Sequence, residues 1–269
     1  MKKSLLIALF TILIGISNNV KAQMFLGEAF VGLNFCQVDG DEMMGFYKKG
    51  VSAGVGVLTP VFQKRNFSIE LSLEVLYNQK GAKQDAKYDT IFDPVTHQPL
   101  TGEYNLRLHY GEVPLMVYFT DKKFVSAGVG VSYARLMGLK EYEHGYETGV
   151  SLNSGDYNRD EFNILADVKI RVWKRLKLGF RYSYSLNPIR TRSFTDLEGN
   201  VKGPYKQYNN MFTLRLTYVF NERLEDLKRE EYHYQGDNPK FINKENERAL
   251  KKMIRQQQRQ EKKNRKGKQ

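Results

Sequence analysis

The residues of this 269-residue chain that could do chemistry are four histidines, a few acidic clusters and a set of charges recurring at alternate positions. The histidines are His97, His109, His144 and His233. His97 lies near Asp93, and His144 stands between Glu143 and Glu147, so an acid–histidine pair that activates a nucleophile can be drawn at either place. Neither assembles a recognisable triad, so an outer-rim hydrolase is a minor alternative and no catalytic residue is assigned. Asp39-Gly40-Asp41-Glu42 and Asp85, Asp89, Asp93 gather oxygen ligands without the spacing of a calcium loop. They read as solvated acidic loops, as does Leu139 to Asn158 with Glu141, Glu143, Glu147 and Asp156. No metal and no cofactor is assigned.

The recurring charges are Glu28, Glu70, Glu74, Arg107, His109, Asp167, Lys169, Arg171, Lys177, Arg181 and Arg215. Each falls on the polar side of an alternating segment. Gathered inside a narrow space, such charges must pair, because an isolated buried ion costs several kcal/mol. The expectation is a salt-bridged plug. Its functional rival is a gated pore for small solutes.

Strands must position these groups. Met211 to Phe220 sets Phe212, Leu214, Leu216, Tyr218 and Phe220 against Thr213, Arg215 and Thr217. Period-two alternation of this length predicts a strand with one apolar and one polar face. Its Tyr-x-Phe ending resembles the assembly signal on the closing strand of bacterial outer-membrane barrels. The same alternation runs through residues 25–38, 50–62, 67–78, 124–136, 162–173 and 176–187. Over 104–119 the apolar set is Leu106, Leu108 and Tyr110 against Arg107 and His109, then Val113, Leu115, Val117 and Phe119. That slip predicts a bulge between Gly111 and Pro114. Eight strands are counted, the smallest usual size for a transmembrane barrel.

Short connections at Gln63–Asn66, Asp121–Lys123 and Lys174–Arg175 alternate with long ones at 39–49, 81–103, 139–158 and 187–207. Short periplasmic turns and long outer loops are the expected asymmetry of such a barrel. A soluble sandwich is disfavoured by strands near the roughly 9–11 residues that cross a bilayer, and by aromatic residues toward strand ends. Glycines on the polar face, Gly54, Gly56, Gly128 and Gly130, make room in a narrow lumen for long side chains opposite.

Residues 1–22 read as a secretory signal: Lys2 and Lys3, an apolar run from Leu5 to Ile16, and Val20-Lys21-Ala22. Losing Lys2, Lys3 and Lys21 takes the formal charge from +12 to +9. Most of that belongs to residues 221–269, with 15 basic against 9 acidic side chains. Asn243 is a plausible N-cap for a helix from Lys244 to about Lys263, carrying Lys251, Lys252, Arg255 and Arg259, and the end of the chain reads as disordered. Cys36 is the only cysteine, which rules out an intrachain disulfide. An exported chain is an improbable partner for nucleic acid. The organisation expected is signal 1–22, barrel 23–220 and basic periplasmic tail 221–269.

Gly32-Leu33-Asn34, Gln37-Val38-Asp39-Gly40-Asp41, Tyr110-Gly111-Glu112-Val113-Pro114 and the small-residue run Ser126 to Gly130 together resemble the PorT-like outer-membrane barrel family of Bacteroidota. The resemblance covers about residues 25–220, with Tyr-Gly-Glu-Val-Pro standing where the family usually has Tyr-Leu-Glu-Ile-Pro. It implies an integral outer-membrane protein. One member of that family serves the type IX secretion system, and most have no assigned activity.

Each short turn carries two cations, Lys64/Arg65, Lys122/Lys123 and Lys174/Arg175. An even-stranded barrel puts both termini on their side, so turns and tail are expected to form one basic periplasmic face. Its partners would be anionic lipid headgroups, an acidic periplasmic or secretion-system protein, or peptidoglycan. The outer surface is expected to meet lipid and lipopolysaccharide. The role expected is structural, or accessory to an envelope complex.

Overall fold

The alternation folds as it reads, into strands with two unlike faces. The computed structural model describes residues 25–41, 45–64, 66–87, 91–92, 99–195 and 201–222. Eight strands of ten or more residues carry the fold: β1 (Leu26–Asp39), β2 (Lys48–Gln63), β3 (Phe67–Lys80), β4 (Tyr104–Asp121), β5 (Val125–Glu143), β6 (Asp160–Trp173), β7 (Leu176–Ser185) and β8 (Val201–Val219). Each pairs antiparallel with its sequence neighbour, and β8 returns to β1. The ring therefore has no free edge, which solves the problem of unpaired backbone groups.

The register fixes its geometry. Starting at Gly27, the pairs run through Val57, Leu73, Leu115, Val131, Ile164, Tyr184 and Asn210, and re-enter β1 at Gln37. The offset is ten residues, so the strands tilt, by roughly 35–45° in barrels of this kind.

The sheet holds eleven strands rather than the eight expected. The additions are short: Lys83–Gln84 on β4, Tyr146–Glu147 on β5 and Arg190–Thr195 on β8. Ile91–Phe92 and Pro99–Leu100 pair separately. The long connections thus extend the wall, and β4, β5 and β8 run well past the apolar segments that betray them. No helix occurs among the described residues.

Parity decides which faces meet lipid. On β3, Glu74 is fully buried while Val75 is 59% exposed. The outward face is apolar through Val31, Leu33, Val55, Val57, Val75, Val117, Val129, Ile164, Phe180 and Leu214. Phe35, Tyr77, Tyr133 and Phe162 edge this band on the long-loop side, and Phe119, Trp173, Tyr218 and Phe220 edge it on the short-turn side. At that end β8 closes on the start of β1, with Phe220 N–H donating to the Gly27 carbonyl at 2.6 Å, and two turns join, with Lys122 N–H donating to the Asn66 carbonyl at 2.8 Å.

The expected bulge at Gly111–Pro114 is absent. Leu73 faces Leu115 and Leu76 faces Glu112 with no change of register. Inward parity runs unbroken from Tyr104 to Thr120, so Leu106, Leu108 and Tyr110 are inside, not toward lipid. What changes at Gly111 is the medium. Below it the wall has lipid outside and charge inside; above it the wall has water outside and an apolar core inside. That core joins Val38, Leu106, Leu108, Tyr110, Leu136, Tyr157 and Ile189. The register slip sits instead on β5, where Met137 is the extra residue between the His109–Gly138 and Tyr110–Leu136 pairs.

Candidate functional site

The lumen is built from the inward row of every strand. Its short-turn half sets Glu28, Glu70, Glu74 and Asp167 against Lys169, Lys177, Arg181 and Arg215, all buried. Lys169 donates to Glu28 at 2.9 Å across the ring. Arg181 on β7 holds Glu74 on β3 with both Nη atoms and Asp167 with Nε at 2.9 Å. Arg215 adds a second cation to Glu74 at 3.0 Å and stacks over the Phe30 ring. The Tyr118 hydroxyl donates to Asp167 at 2.8 Å. Glu70 accepts from Ser68 and Thr120, and Lys177 lies in the field of Glu28 and Glu70. Four negative groups thus face four positive ones. Small residues give these side chains room: a methyl at Gly128 would lie 2.4 Å from the Tyr118 ring.

A second network stands nearer the long loops. Lys80 donates to Glu161 at 2.7 Å and lies 3.4 Å from Glu112. Asn78 and Ser132 also donate to Glu112, and Asn209 to Glu161. Between the two networks, a cavity bordered by Ser52, Leu76, Leu165, Met211 and Arg215 has room for about one water molecule. Above them the apolar core closes the mouth. Arg190 caps it, donating to Glu141 and Gln207 and lying 4.5 Å from the Tyr157 ring centre. Burial, reinforced by Tyr104, pushes the loop residue Tyr157's hydroxyl above its ordinary pKa, against the opposing pull of Arg190.

Three expected members of the lumen set lie elsewhere. Arg107 and His109 point outward, because the inward positions of their strand are the apolar ones above Gly111. Arg171 sits at the short-turn rim, donating to Glu222 at 2.7 and 2.8 Å and to the Lys123 carbonyl at 2.7 Å. Sequence reading missed Lys80, Glu112 and Glu161, and placed Glu141 on a solvated loop although it is 2% exposed on β5. Lys80 and Glu161 share parity with Glu70 and Asp167, which would have found them. Glu112 was hidden by the supposed slip.

The other candidates are dispersed. His144 Nδ1 accepts from Gly102 N–H at 3.1 Å, while Glu143 is held by Arg192. Asp39 accepts from Gln37 and Asn210, and Asp85 pairs with Lys83. Among the described residues no three metal-ligating side chains converge. Asp89, Asp93 and His97 lie outside the described residues, as do Glu42, Arg65, residues 1–24 and the tail from Arg223, with His233, Lys251, Lys252, Arg255 and Arg259. On the rim, Lys64 lies over Phe62 and Phe67, Lys174 over Trp173, and Arg175 donates to the Glu222 carbonyl.

An apolar exterior round a closed, charge-lined ring defines a bilayer-spanning β-barrel. The chain belongs to the family described as outer membrane protein beta-barrel domain, whose model matches residues 17–190. It is accordingly a protein of the outer membrane. Similar solved structures include Ail, the attachment invasion locus protein of Yersinia pestis, at 12% identity and TM-score 0.35, covering 72% of this chain and 98% of that one. A major outer membrane protein of Thermus thermophilus has 13% identity and TM-score 0.38, covering 73% and 99%. OprG of Pseudomonas aeruginosa has 11% identity and TM-score 0.29, covering 73% and 94%. No curated protein matches the chain.

Proposed function

We propose that this protein is a sealed, non-catalytic barrel that serves the envelope as a structural or accessory component. The observation that carries the reading is the filling of the lumen by facing buried charges between Glu28 and Arg215, with a cavity among them that holds about one water. Opening a path through it would strand buried ions, each at a cost of several kcal/mol. A small-solute channel is the alternative. Reconstitution in planar bilayers separates them: no conductance above background is expected, and reproducible single-channel steps from the full chain would overturn the sealed reading.

The finer architecture belongs to the same proposal. Eight strands form the membrane wall and the other three dress its outer mouth. Residues 1–22 are a signal, and the tail beyond Glu222 includes the helix from Lys244 to about Lys263. Tail and turn cations form a basic periplasmic face that docks an acidic partner, anionic headgroups or peptidoglycan. The PorT-like resemblance makes a type IX secretion complex in a Bacteroidota cell the candidate setting. Co-sedimentation of the purified protein with peptidoglycan and with anionic vesicles tests the docking. Binding should fall with added salt and on reversing Lys251, Lys252, Arg255 and Arg259 to glutamate; binding indifferent to both would overturn it.

A further inference from the structure

Two of the residues that left the lumen set, Arg107 and His109, lie on an outward surface that the sealed lumen does not use. Arg107 stands opposite Lys140 on β5, and His109 stands opposite Gln79 on β3. Lys49 projects outward from β2, opposite Phe35. The register of β2, β3 and β4, continued past Lys80, sets Lys49 in line with Arg107. Lys49, Arg107 and Lys140 are exposed and have no ion-pair partner among the described residues. Three carboxylates on this side are engaged: Asp160 holds Arg135 at 2.8 Å, Asp85 holds Lys83 and Glu143 holds Arg192.

Arg107, across from Lys140, stands two positions along β4 from His109 and shares its outward parity. The His109 ring is fixed by Tyr77, which stacks on it and whose hydroxyl lies 2.5 Å from Nδ1. The patch lies directly above the aromatic edge of the lipid-facing band, next to Tyr77, one row from Val51 and two from Val113. The charge lies directly beyond the lipid-facing apolar surface and is continuous with it.

We propose that the outward face of β2 to β5 binds a phosphorylated glycolipid headgroup of the outer leaflet, of the lipid A class. Arg107 and Lys140 bracket a phosphate, Lys49 adds charge from the adjoining strand, and the His109 ring borders the site. The acyl chains lie along the Val51, Val75 and Val113 surface below. Arg107 is the natural primary ligand, because its planar fork matches phosphate oxygens.

The test uses the full chain in detergent and native mass spectrometry, with diphosphorylated and dephosphorylated lipid A as probes. The unaltered protein should retain the diphosphorylated form about tenfold better. The double variant Arg107→Gln/Lys140→Gln should lose that preference. Lys206→Gln, exposed on β8 opposite Thr191, should keep it. These side chains are on the surface, and heat-modifiable migration verifies that each variant is folded. Equal retention of the two lipids, an unchanged preference in the 107/140 variant, or an equal loss from the Lys206→Gln variant would overturn the proposal. So would displacement of lipid A by equimolar inorganic phosphate, which would mark a site for the free ion.

Discussion

Arg181 grips Glu74 across the barrel through both Nη atoms, at 2.8 and 2.9 Å, although 107 positions separate them in the chain. The pair ties β7 to β3 on opposite walls. Glu74 also faces Arg215 and Lys169, so one carboxylate anchors three cations. Removing it should be worse than removing any one of them. Glu74→Ala is expected to lower unfolding stability by about 3–5 kcal/mol, the usual cost of stranding buried charge. Pairing it with Arg181→Leu should recover part of the loss. Urea unfolding in lipid bilayers measures both, and additive losses would show that the two groups act independently.

The closed ring predicts heat-modifiable behaviour. Unboiled protein should migrate differently from boiled protein in detergent gels, because the sheet resists detergent until heated. Identical migration, with the material recovered in a soluble fraction, would contradict the barrel.

Parity above Gly111 can be read chemically. Cysteines placed at Arg107 or His109 should react with aqueous thiol reagents in intact membranes, whereas cysteines at Leu108, Leu73 or Leu214 should not. Cys36 is 1% exposed and should contribute little background. Labelling at 108 with protection at 107 would restore the inverted strand that the apolar pattern suggested.

Glu222 sets where the chain can be cut. Its carboxylate takes two hydrogen bonds from Arg171, and its carbonyl takes one from Arg175. Truncation after Glu222 should leave barrel stability unchanged. Truncation after Phe220 should cost about 1–3 kcal/mol, the worth of charged hydrogen bonds at a partly buried site. Thermal unfolding of the two truncations compares them; equal stabilities would show that the clamp is ornamental to folding.

The short-turn half of the barrel was legible because one rule governs it: lipid outside demands apolar residues at every second position, and the remaining positions collect Glu70, Glu74, Asp167 and Arg181. The long-loop half was not, because alternation reports a contrast between two faces without saying which face is inside. Leu106, Leu108 and Tyr110 contrast with Arg107 and His109 whether lipid or a protein core receives them. The bulge was misplaced for the same reason. A flip in apolar phase reads like a flip in backbone parity, while the true slip at Met137 lies among small and apolar residues that give no signal. Short pairings such as Arg190–Thr195 with β8 depend on distant register and leave little local trace.

The inversion at Gly111 gives identical inward substitutions opposite meanings four residues apart. Aspartate at Leu108 would plant a charge in the apolar core of the mouth, whereas aspartate at Glu112 would keep a carboxylate on the side where Lys80 lies. A hydropathy window averaged along β4 would score the two alike. Any redesign of this wall therefore needs a scale whose sign reverses partway up the strand, and the outer mouth can be recarved as a soluble protein while the part below it obeys the bilayer.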